Sequence, residues 1–88
     1  MKVEFHKSFE RDLRKVRDHS LLERVRTAII ELEEAETLEN LSQVKAMKGH
    51  PEYFRIRIGE YRLGLKRTEH GLRLIRFLNR GHIYQKFP

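Results

Sequence analysis

Cysteine and tryptophan are both missing from these 88 residues, and proline occurs only twice. Without cysteine there is neither a disulfide framework nor a thiolate metal site. No apolar run approaches the roughly 18 residues that a membrane-spanning helix needs. The opening stretch MKVEFHKSF lacks the apolar core and small-residue cleavage site of a secretory signal. A cytoplasmic protein without a membrane partner is therefore expected. Carboxylates are scarce in the second half, where only Glu52, Glu60 and Glu69 occur, at separations that suit turns rather than a two-metal site. Neither a glycine-rich phosphate loop nor a nucleophile elbow is present. No metal and no cofactor are expected.

What the chain does contain is apolar content for one core and an uneven charge. An apolar share of 39%, with five Phe and three Tyr, argues for one folded domain over residues 1–88 rather than a disordered tail. Residues 1–40 carry 8 Lys and Arg against 10 Asp and Glu, a net of −2. Residues 41–88 carry 11 against 3, a net of +8, and seven of those eleven cations are arginine. Arginine's forked donors match phosphate oxygens, so a polyanion, nucleic acid first, is the partner this half suggests.

Periodicity gives the elements. KVEF alternates Val3 and Phe5 with charged residues, as a short strand does. Ser8 can cap a helix over FERDLRKVRD with Phe9, Leu13 and Val16 on one stripe. Ser20 and Glu23 fit a capping box for a second helix, in which Leu21, Val25, Ala28, Ile29, Leu32 and Ala35 form the buried face. The glutamates at 31, 33, 34 and 36 read as its solvated end. From about Thr37 to Glu52 the period is lost, and Gly49 and Pro51 mark a connector. Three strands follow: YFRIRI, YRLGLKR after a Gly59-Glu60 turn of type II′ character, and LRLIRFL after TEHG. The expected fold class is α+β in the order β-α-α-β-β-β, with two N-terminal helices packed on an antiparallel sheet.

Alternation then sorts the side chains. Phe54, Ile56 and Ile58 face the helices, and Tyr53, Arg55 and Arg57 face away. On the return strand Arg62 and Lys66 share the outward parity, with Gly64 between them as a place where a ligand backbone can come close. Arg73 and Arg76 have opposite parity, so only one of them can join this face. Guanidinium groups held side by side repel one another unless an anion lies between them. Beyond the last strand come Arg80, His82 and Tyr84, types that bind phosphate, move a proton or stack on a base. Plainer roles stand beside these: Arg80 paired with a helix carboxylate, His82 simply exposed, Tyr84 a half-buried anchor of the tail.

The stretches MKGHPEYFRIRIGEYRLGL and NRGHIYQKFP, with the element order, resemble the RelE/ParE superfamily of bacterial type II toxins across nearly the whole chain. The resemblance implies a small toxin encoded beside an antitoxin that carries a DNA-binding segment. RelE-type members cut messenger RNA in the ribosomal A site, whereas ParE-type members poison DNA gyrase. It implies metal-free attack of a ribose 2′-OH on the adjacent phosphate, with the ribosome and mRNA as partners. By position it assigns catalysis to Arg62, Arg80, His82 and Tyr84, and RNA binding to Lys48, His50, Arg55, Arg57 and Lys66. One departure matters: RelE has lysines where this chain has Arg55 and Arg57. A lysine can give up its proton and an arginine effectively cannot, so the base must lie elsewhere, with His50 and His82 as candidates. A gyrase inhibitor and a non-catalytic binder of antitoxin or RNA remain the alternatives.

Overall fold

The computed structural model describes residues 1–88. Strand β1 (Lys2–Phe5) leads into helices α1 (Lys7–Arg14) and α2 (His19–Glu34). A single 3-10 turn at Leu38–Asn40 precedes strands β2 (Val44–Ala46), β3 (Tyr53–Ile58), β4 (Tyr61–Thr68) and β5 (Gly71–Asn79), and helix α3 (Arg80–Lys86) closes the chain. The strands form one sheet in the order β1-β5-β4-β3-β2. Every pairing is antiparallel except β1 on β5, which is parallel. The α+β class with two N-terminal helices on the sheet is therefore as expected. The sheet is mixed rather than wholly antiparallel, because β1 joins the β5 edge in parallel, and one edge strand and one terminal helix are added.

The sheet carries a core on each face. On the first, Phe9 of α1 and Val25, Ala28 and Leu32 of α2 pack against Phe54, Ile56, Ile58, Leu63, Leu65, Leu72, Leu74 and Phe77. Fully burying a Leu, Ile or Phe side chain stabilises by about 1.5–3 kcal/mol, so this cluster is the main source of stability. On the second face Ile83 and Phe87 pack with Met47 against Tyr53, Ile75 and Leu78. Gly64 makes that second packing possible. A Cβ there would meet the Phe87 ring at 2.6 Å. The space the sequence suggested for a ligand backbone is filled by the protein's own tail, because the apolar Ile83 and Phe87 need cover and β4 offers it.

Helix starts differ from the expected caps. His6, not Ser8, caps α1, its Nδ1 accepting from the Ser8 amide at 3.1 Å. The shift follows from β1, whose pairing runs on through the His6 amide to the Leu74 carbonyl at 2.9 Å, so the chain turns early into helix. Asp18, not Ser20, caps α2, its carboxylate accepting from the Leu21 amide at 3.2 Å; Asp and Ser are equivalent caps, and Asp18 comes first. α1 ends at Arg14, short of Val16. The last turn of α2 has no basic side chain, and the Met1 ammonium takes that role, donating to the carbonyls of Leu32, Glu33 and Ala35 at 3.2, 2.6 and 3.0 Å.

β1 covers only the first half of the β5 edge, from Gly71 to Leu74. Side chains of α1 finish the job. The Ser8 hydroxyl donates to the Ile75 carbonyl, and the Asp12 carboxylate accepts from the Phe77 amide at 2.9 Å. Asp12 also receives two bonds from the Arg76 guanidinium, at 2.8 and 3.2 Å, and is only 4% exposed. Here β5 bulges: Leu65 opposes Leu74 and Gly64 opposes Arg76, leaving Ile75 as the extra residue. The bulge overrides the parity argument, because Arg73 and Arg76 both register with second-face positions, while Asp12 draws the Arg76 guanidinium toward α1.

Two predictions follow from this packing. Asp12→Ala leaves Arg76 and the Phe77 amide without their acceptor, and urea unfolding should show a loss of about 3 kcal/mol. An unchanged midpoint would disprove the role given to Asp12. Gly64→Ala should cost about 1–3 kcal/mol by overpacking. Much of that loss should vanish when Phe87→Ala is also present, as a double-mutant cycle reads directly.

Candidate nucleic-acid interface

Strand register lays the outward side chains of β2 to β5 in three rungs. Tyr53 stands opposite Lys66, which stands opposite Arg73. The next rung runs Lys45, Arg55, Gly64, and the third pairs Arg57 with Arg62 and Arg62 with Leu78. Ile83 of α3 and Phe87 just beyond it cover the β4–β5 side of this face and reach Met47 and Tyr53 at the start of β3, while Lys45 and Arg57 stay exposed. The result is a basic face, with Lys45, Arg55 and Arg57 on its β2–β3 side and α3 along its border. Tyr84 projects from α3, 59% exposed, with the Arg55 guanidinium 5.8 Å from its ring centroid.

Ion pairing divides the seven arginines of the basic half. Arg67 bridges Glu39 and Glu52 at 3.2 and 3.0 Å and lies 4.9 Å from the Phe54 ring centroid. Its hydrogen bond holds the Glu39 carboxyl below the ordinary carboxylate value, and the same bond raises Arg67. Arg76 belongs to Asp12, and Arg80 meets Glu60 at 3.0 Å. Arg55, Arg57, Arg62 and Arg73 have no carboxylate within salt-bridge distance. Arg57 and Arg62 are direct cross-strand neighbours, an arrangement that costs stability by itself. Arg62 is steadied by donating to the Gly59 and Tyr61 carbonyls at 3.0 and 2.9 Å. The β3–β4 turn that supplies them has Gly59 at φ +60° and no positive φ at Glu60, the type II′ geometry read from the sequence.

The candidate residues are not all brought together. Arg55, Arg57, Arg62 and Lys66 share the sheet face, and Tyr84 overhangs it. Lys66 lies 5.3 Å from the Tyr53 ring centroid, and His50 packs edge-on to the same ring at 6.3 Å, so His50 stands at the Tyr53 end of the basic face. Lys48 is exposed in the same β2–β3 connection. Arg80 opens α3, its amide and guanidinium both engaged by Glu60, so it does pair with a carboxylate, but one in the β3–β4 turn rather than on a helix. His82 is apart. Two residues along a helix turn the side chain by about 200°, and His82 lines the opposite side of α3 with Lys15, Arg76 and Lys86. Lys45 went unread because β2 is only three residues long; its one signal is a lysine between Val44 and Ala46. Helix α3 had a better signal, since Asn79 caps it through the Gly81 amide at 2.9 Å and Ile83 and Phe87 lie four apart.

Comparison with known proteins agrees with this architecture. Residues 3–84 match the model of the ParE toxin of type II toxin-antitoxin system, parDE. The chain is 37% identical over its whole length to Toxin RelE3 of Methanocaldococcus jannaschii, all of which is covered. It superposes with a TM-score of 0.81 and 34% identity on a chain of the RelB-RelE antitoxin-toxin complex from Methanococcus jannaschii, over 97% of this chain and 99% of that one. A chain of the archaeal RelE-RelB complex from Pyrococcus horikoshii shares the fold, with a TM-score of 0.72 at 19% identity over 91% and 94% of the two chains. With the two-helix cover, the mixed five-stranded sheet and a full-length relative above a third identity, the chain belongs to the RelE/ParE superfamily of type II toxin–antitoxin toxins.

Proposed function

We propose that this toxin is a ribosome-dependent endoribonuclease that cuts messenger RNA without a metal and is neutralised by an antitoxin. The observation that carries the reading is the carboxylate-free arginine face of β3 and β4 with the exposed Tyr84 ring beside it. Cations for the phosphate and an aromatic surface for a base are what a single RNA strand requires. In this reading Arg55, Arg57 and Arg62 seat the scissile phosphate and stabilise the charge that gathers on it. The ribose 2′-oxygen attacks phosphorus, its proton passes to a base, and the 5′-oxygen leaves and is protonated. A 2′,3′-cyclic phosphate and a 5′-OH result. Arginine cannot serve as the base, and His82 faces the other side of α3. His50, at the Tyr53 end of the face, is therefore assigned to it, with Tyr84 stacking the nucleotide and Arg80, beside its Glu60 partner, at the α3 end. Lys45, Lys48 and Lys66 extend the path for the RNA backbone. The relatives solved as RelB-RelE complexes support the antitoxin, whose acidic groups would occupy the same arginines.

A translation reaction supplied with purified protein tests this by primer extension. Native protein should cut the translated message, and Arg57→Ala, at an exposed position, should slow cleavage by about 10²-fold, the loss of one charge-stabilising donor. His50→Ala should slow it as well, and His82→Ala should not. Intact messages with native protein would overturn the reading, and loss of gyrase supercoiling in a parallel assay would favour the ParE-type alternative.

A further inference from the structure

A second site lies on the far side of α3. A cleft of about 330 Å³ opens between α1, the end of β5 and α3, lined by Asp12, Lys15, Tyr61, Arg76, His82 and Lys86. Its one carboxylate is already spent. Asp12 accepts two bonds from Arg76 and one from the Phe77 amide, and it is buried. Arg76 gives two of its five N–H groups to Asp12, and no protein acceptor takes the others. The guanidinium is thus fixed in place while still holding donors for a ligand. Tyr61, half-buried and stacked on Phe77 at 5.0 Å, has a hydroxyl with no protein partner. Lys15 at the end of α1 and Lys86, one turn beyond His82 on α3, add two charges that no carboxylate balances.

We infer that this cleft binds a phosphate group, and that the phosphate belongs to a nucleic-acid backbone passing over α3. Convergent donors around one neutralised carboxylate fit a phosphate oxygen set and not a metal or a neutral sugar. The arginine face lies on the opposite flank of the same short helix, so a strand crossing α3 places separate phosphates on the two sides. The site does not depend on cleavage: it holds whether or not that face performs the proposed chemistry.

The test uses a 2′-O-methyl RNA octamer, which lacks the attacking hydroxyl and so reports binding alone. In ¹H–¹⁵N spectra the octamer should shift the Arg76 Nε–H and the amides around Phe77 and His82, and inorganic phosphate should shift the same signals at far higher concentration. Lys15→Ala with Lys86→Ala removes only exposed charge and should leave the thermal midpoint unchanged. It should also lower the slope of log affinity against log salt by about 1.4, two single-strand phosphate contacts. Arg57→Ala, on the arginine face, should lower that slope independently, and the losses should add. If phosphate moves these signals and the octamer does not, the nucleic-acid source is wrong. If neither moves them, or only an acidic peptide does, the phosphate site is wrong.

Discussion

The buried carboxylate of Asp12 is the interaction on which the rest of this molecule turns. A strand edge left open beyond β1 would expose unpaired backbone groups, and Asp12 closes it at Phe77 while Ser8 closes it at Ile75. The same carboxylate holds Arg76 at the bulge, which fixes how β5 runs on into α3. The position of Tyr84 against Arg55 therefore rests on a contact made at the other side of the sheet. Breaking such a pair leaves a charge stranded in a poorly solvated place, a much larger loss than the modest net gain of forming it.

Charge sorting explains why the second half can be so basic and still fold. The arginines that support the architecture, Arg67, Arg76 and Arg80, each have a carboxylate supplied from elsewhere in the chain. Those on the open flank do not, and the Arg57–Arg62 pair is mutually repulsive in the free protein. Two backbone carbonyls steady Arg62 without cancelling its charge. The face consequently carries a repulsion that an anion lying between the two guanidinium groups would relieve.

The strands and the two long helices were legible because period-two and helical spacing are strong over six to sixteen residues. Arg55, Arg57 and Arg62 on one face followed from alternation alone. Two short elements were not legible: Val44–Ala46 is too brief to show a period, and α3 has Gly81 in its first turn, which weakens its helical signal. Missing α3 had two effects. His82 and Tyr84 were grouped as neighbours when the helix sends them to opposite flanks, and Gly64 was read as open when Phe87 fills it. The bulge at Ile75 was equally out of reach, since nothing local marks an extra residue in a strand whose partner is unknown.

Gly64 has no side chain, yet it helps to set how closely α3 sits over the basic face. How deeply the Phe87 ring settles onto β4 fixes the height at which α3 rides, and hence the separation between the Tyr84 ring and the arginines below it. A residue without a side chain thus acts as a spacer beneath a surface made of the longest ones. Change at that one position would retune the gap while leaving every cation and the tyrosine in the sequence untouched.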